Sequence, residues 1–149
     1  MTDRFLKFLP FVFEHEDAIS HGNVVVEHIS GDAGGTTKYG IDARSHPGVD
    51  IENLTKEKAT AIYWNEWARE GCEALIFPLG EVFSDCCIRS GWSRARDILL
   101  DFKTPALFLD EYDRFLKVIA SRGQNQKFLN GWLQRNDDLR KRFGIAKAV

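Results

Sequence analysis

Phe5, Leu9, Val12 and Glu16 recur at steps of four, three and four. That spacing predicts a helix over residues 3–17 with all four side chains on one face. Pro10 falls inside this stretch; because it lacks an N–H, it predicts that the helix starts near residue 10 or bends there. From residue 18 to 54 the pattern changes. Gly22, Gly31, Gly34, Gly35, Gly40 and Gly48 punctuate the chain, Val24-Val25-Val26 is β-branched, and Thr36-Thr37-Lys38-Tyr39 is strand-like. This predicts a hairpin or small three-stranded sheet with glycine turns. Helical spacing then returns. Thr55 is placed to cap a helix that runs to about Glu70, with Ala59, Ile62, Tyr63 and Trp67 on its apolar side and Gly71 at its end. Residues 79–90, closed by Gly91, and 93–101 predict two more helices. Thr104-Pro105 is an N-cap followed by proline at the first helical position; that helix carries Leu109, Tyr112, Phe115, Leu116 and Ile119 and ends at Gly123. A last helix is predicted over about 125–142, with a break at Asn136. The expected class is α+β, mostly α, with no repeat or linker and a single domain over 1–149.

Composition changes this picture little. With 149 residues, 44% hydrophobic and 28% charged, the chain can bury a sizeable core. The net charge of −2 argues against a general polyanion binder, so no nucleic-acid partner is expected. Two basic runs stand out, Arg89, Arg94 and Arg96, and Arg135, Arg140, Lys141, Arg142 and Lys147; both read as solvated helix faces, with attraction to an anionic envelope or polymer as the sharper alternative. Cys72, Cys86 and Cys87 are odd in number and include a vicinal pair, which speaks for small buried thiols rather than a disulfide framework. No Cys/His spacing suggests zinc, and no metal or cofactor is implied. The apolar stretch Phe5–Phe13 is interrupted by Lys7 and Pro10 and is too short to span a bilayer. It also lacks a cleavage site, so synthesis in the cytoplasm without a signal peptide or stable membrane insertion is expected.

The candidate chemistry lies where the first helix meets the glycine-rich region. Cleaving a glycosidic bond needs a carboxyl that keeps its proton beside the leaving oxygen, and a second group that steadies positive charge or positions water. Glu16 has the position of the first. It sits on the apolar stripe, near the C-terminal end of its helix, where the helix dipole disfavours a carboxylate. Asp32, Thr36 and Thr37, in Gly31-Asp32-Ala33-Gly34-Gly35-Thr36-Thr37-Lys38-Tyr39-Gly40-Ile41, are candidates for the second, as is Glu27.

The order of these pieces carries a resemblance. Leu9-Pro10-Phe11-Val12-Phe13-Glu14-His15-Glu16 followed by Asp32-Ala33-Gly34-Gly35-Thr36-Thr37-Lys38-Tyr39-Gly40-Ile41 resembles glycoside hydrolase family 108. Those enzymes are N-acetylmuramidases of phage endolysins and bacterial secretion-linked loci. Leu54–Ala59 with Ile62-Tyr63-Trp64, Asp85–Gly91, and Phe128–Arg135 (FLNGWLQR) are similar to three further family motifs in the same order. The resemblance implies a lysozyme-like fold, with an N-terminal catalytic-Glu helix, a small sheet and a helical bundle. It also implies that Glu16 is the catalytic acid, that the family's Asp falls on Asp32, and that its Thr falls on Thr37 or Thr36. The pattern departs in places: Asp17-Ala18 replace two glycines, His28-Ile29-Ser30 replace a motif with a further Asp, and Arg89 replaces an Asn. The second catalytic group therefore stays open among Asp32, Glu27 and Thr37.

The resemblance implies hydrolysis of the β-1,4 bond between N-acetylmuramic acid and N-acetylglucosamine by a phage endolysin. Lytic transglycosylation is a close variant. The partner would be the glycan strands of bacterial peptidoglycan, met in the periplasm after release, by a monomer. A non-catalytic peptidoglycan-binding or virion structural protein is the alternative. Among the aromatics, Tyr39 and Trp92 are the candidates for a sugar groove, with Arg89 as a hydrogen-bond donor to substrate; Trp64, Trp67 and Trp132 read as packing residues.

Overall fold

The computed structural model describes residues 1–17, 22, 25–27 and 35–148, with the backbone alone for 25–27. Asp32, His21 and His28 lie outside the described residues. The chain divides into two compact units, residues 1–68 and 69–149.

The first unit opens with α1 (Asp3–Glu16), capped where Thr2 accepts from the Phe5 amide at 3.3 Å. Pro10 lies inside it, so the expectation that the helix starts or bends at Pro10 gives way to one helix that runs through it. The lost hydrogen bond is offset by burial on both sides: Phe5, Phe8, Leu9, Phe11 and Val12 are all buried. Three antiparallel strands follow, β1 (Val25–Glu27), β2 (Gly35–Lys38) and β3 (Ile41–Asp42), in that spatial order. Val26 pairs with Thr36, and Thr37 pairs with both Val25 and Asp42. Lys38 pairs with Ile41, so only Tyr39 and Gly40 form the connecting turn. α2 (Lys56–Arg69) begins where Thr55 Oγ1 accepts from the Lys58 amide at 3.2 Å. Its Trp67 ring meets Phe5 and Phe8 with centroids 5.8 and 5.7 Å away, tying α2 to α1.

The second unit is helical. A 3-10 turn at Cys72–Ala74 leads into α3 (Leu79–Ser90), α4 (Trp92–Asp101), α5 (Pro105–Ala120), a 3-10 turn at Asn125–Phe128, and α6 (Leu129–Phe143). Thr104 caps α5 by accepting from the Leu107 amide, as its sequence position predicts. The three cysteines are free and buried.

In the second unit the structure departs from the sequence expectations at Asn136 and at the C-terminal basic run. The last helix does not break at Asn136; the change falls earlier, between the 3-10 turn and Leu129. Asn136 is fully buried, donates to Asp113 at 2.7 Å and accepts from Arg89 at 2.5 Å, so its weak helix propensity is overridden by buried partners. Nor is the C-terminal basic run a solvated face throughout. Arg140 is buried and reaches Asp110 and Asp113 at 2.8 and 2.7 Å, with Asp137 at 3.1 Å, while Arg135 reaches the buried Asp85.

Candidate active site

Glu16 is the last residue of α1 and is half-buried. What meets it is the β2–β3 turn. Tyr39 and Gly40 have φ of 53° and 77°, the two positive values that a two-residue hairpin turn of the primed type requires. Glycine at the second position has a further reason. A Cβ there would overlap the Glu16 Cβ, lie 3.0 Å from its Cγ, and lie 2.5 Å from the Tyr63 hydroxyl. The turn backbone thus sits directly on the glutamate side chain, at a distance only glycine permits.

The turn is held from α1 and α2. Tyr63 donates to the Tyr39 carbonyl at 2.9 Å. Phe13 packs edge-on to both Tyr39 and Tyr63, with centroids 6.0 and 5.8 Å away. The far end of the sheet is tied down as well. His46 Nε2 lies 2.8 Å from Glu66 Oε1 on α2, its Nδ1 lies 3.2 Å from the Asp42 carbonyl, and the Ser45 amide donates to Asp42 Oδ1 at 2.9 Å. Burial raises the Asp42 carboxyl, but hydrogen bonds from Ser45, the nearby His46 and the Arg44 amide outweigh it and hold the group below its ordinary value.

The other candidates fall as follows. Thr36 and Thr37 are half-buried neighbours on β2, and their side chains point to opposite faces, so at most one of them shares a face with the acid. Glu27 pairs through its backbone with Gly35. Tyr39 is half-buried at the turn. Arg89 and Trp92 belong to the second unit. Arg89 lies over the Tyr112 ring and donates to Asp85, Asn136 and the Trp132 carbonyl. Trp92, at the start of α4, is 45% exposed, with the Arg96 guanidinium 5.0 Å from its ring. Trp67 is core and Trp64 packs on Phe5, both as expected. A groove of about 870 Å³ runs beside α1, lined by Leu6, Pro10, Phe13, Glu14, Asp17 and Lys56 among others. Glu16 does not line it; Phe13 is the residue common to the groove and the turn. Among the described residues no cluster of His, Cys, Asp or Glu is placed to hold a metal ion, and no helix is long and apolar enough to cross a membrane.

In the sequence, Tyr63 reads only as an apolar position of α2, and His46-Pro47-Gly48 reads as a turn. Both act through partners distant in sequence, Tyr39 and Glu66, which no local spacing reveals.

Comparison with known proteins gives two findings. The model of a family described as glycosyl hydrolase 108 matches residues 11–91, more than half the chain, from the C-terminal part of α1 through the sheet and α2 to the end of α3. Among solved structures, that of SagA from Brucella abortus is similar, with 25% sequence identity, a TM-score of 0.71, and coverage of 97% of this chain and 98% of that one. No curated protein sequence matches significantly. The likeness spans both units and bears out the α+β, mostly helical, lysozyme-like class.

Proposed function

Because the chain belongs to the glycosyl hydrolase 108 family, we propose that it hydrolyses the β-1,4 bond between N-acetylmuramic acid and N-acetylglucosamine in peptidoglycan, with Glu16 as general acid. The observation that supports this reading most is the seat of Glu16 against the glycine of the hairpin turn. A half-buried carboxyl at a helix end, beside the turn of a sheet, suits a group that must protonate a leaving oxygen as the C–O bond breaks. The sugar would develop oxocarbenium character, and water held by Asp32 or Thr37, or by Glu27, would add at the anomeric carbon. Thr36 and Tyr39 would contact the glycan from the sheet side, and the exposed face of Trp92 would stack on a sugar ring. Arg89 fits a structural role better, since three of its hydrogen bonds go to protein groups. In this reading the protein is a phage endolysin. It acts as a monomer, reaches the wall after release from the cytoplasm, and needs no cofactor.

The test is digestion of outer-membrane-stripped cell wall by wild type and Glu16→Gln, with mass analysis of the fragments. Reducing muramic-acid ends from wild type alone are expected. Products ending in a 1,6-anhydro sugar would replace hydrolysis by transglycosylation. No cleavage by either protein, with both folded and pelleting with the wall, would overturn the enzyme reading and leave a binding protein.

A further inference from the structure

One side chain from outside the sheet holds the turn that meets Glu16. Tyr63, in the middle of α2, is only 4% exposed, and its hydroxyl donates 2.9 Å to the Tyr39 carbonyl. The same hydroxyl and the Glu16 side chain fill the space that a Cβ on Gly40 would take. Two elements far apart in sequence, α1 and α2, therefore press on one peptide of the turn. That turn is not one its sequence favours by itself. Tyr39 carries a side chain at φ 53°, a conformation that residues with a Cβ adopt rarely and keep where their surroundings compensate. Phe13 braces the rings of both tyrosines.

We infer that Tyr63 is a positioning residue, whose hydroxyl seats the Tyr39–Gly40 turn against Glu16 and so fixes where the acid points. The inference rests on the reading of Glu16 as the acid. Its hydroxyl acts through the turn and not on the sugar. Losing it frees the Tyr39 carbonyl, relaxes the turn away from α1, and widens the range of positions open to the Glu16 carboxyl. Misplacement of a catalytic group by about 1 Å costs on the order of a hundredfold in rate, and a loosened one costs less. A group that acts only through the transition-state geometry lowers kcat and leaves KM in place.

The experiment compares Tyr63→Phe, which removes the hydroxyl alone, with Tyr63→Leu, which also removes the ring. Wall digestion kinetics, thermal melting, and NMR of the Glu16 carboxyl carbon and the Gly40 amide are read for each. For Tyr63→Phe the expected result is a fall in kcat of roughly tenfold, an unchanged KM, a melting temperature close to wild type, and movement of both resonances. Wild-type kcat in Tyr63→Phe, with loss confined to Tyr63→Leu, would show that only ring packing matters and overturn the inference. An unmoved Glu16 resonance would overturn it too, and that reading needs no turnover. So would a fall in activity matched by loss of folded protein. Glu16→Gln in the same assay separates the two readings. If it stays active, the acid assignment fails. If it is silent while Tyr63→Phe is fully active, only the role of Tyr63 fails.

Discussion

Arg135 closes on Asp85 with two hydrogen bonds to one oxygen, Nη2 at 2.7 Å and Nε at 3.0 Å, across fifty positions of sequence. Arg89 takes the other oxygen at 3.2 Å, and the carboxylate is fully buried. Such a triad tells little about net stability as built, because desolvation offsets the attraction, but removing one partner strands the others. Asp85→Asn should therefore lower the unfolding free energy by about 3–5 kcal/mol. Urea unfolding followed by tryptophan fluorescence reads this, and a loss below about 1 kcal/mol would mean the arginines find water instead.

Gly40→Ala meets two obstacles at once, a positive φ of 77° and overlap with Glu16 and Tyr63. We expect a loss of about 1–3 kcal/mol in stability together with loss of wall digestion, since relief of the overlap must move the glutamate. Thermal melting and activity are measured on the same sample. A variant that melts like wild type and digests wall normally contradicts the close approach of turn and acid.

Acid should loosen the sheet through Asp42. Its folded-state carboxyl lies below the ordinary value of 3.8, because the hydrogen bonds and His46 outweigh burial. A lowered carboxylate contributes stability above its unfolded value, and that contribution is lost as pH falls through the folded one. The difference in stability between wild type and Asp42→Asn should be present at about pH 5 and gone near pH 2. Urea unfolding across that range checks it; a difference that persists at the acid end would assign the effect to shape and not to charge.

The thiols should be silent. Cys72, Cys86 and Cys87 are buried, and burial pushes the Cys86 and Cys87 thiols far above their ordinary value. A thiol reagent such as Ellman's should find no fast-reacting group in the folded protein and three after denaturation. A rapid single equivalent in the native state would place one cysteine at the surface.

Periodicity and caps were enough for most of the fold. The steps of Phe5, Leu9, Val12 and Glu16 marked α1, Thr55 and Gly71 bracketed α2, and Thr104-Pro105 opened α5. These signals are local: a helix face repeats every three or four residues, and a cap acts within one turn. The candidate acid was legible for the same reason, as a carboxyl on an apolar stripe at a helix end. Tertiary structure alone decided the rest. It joined Tyr63 to Tyr39 and seated Gly40 on Glu16, it turned Asn136 from a helix breaker into a buried hydrogen-bonding hub, and it drew Arg89, Arg135 and Arg140 inward to aspartates. A charge on a helix looks the same in sequence whether it faces water or a buried counter-charge. Only the chain's return from a distant position supplies the partner, and with it the energy that selects between the two.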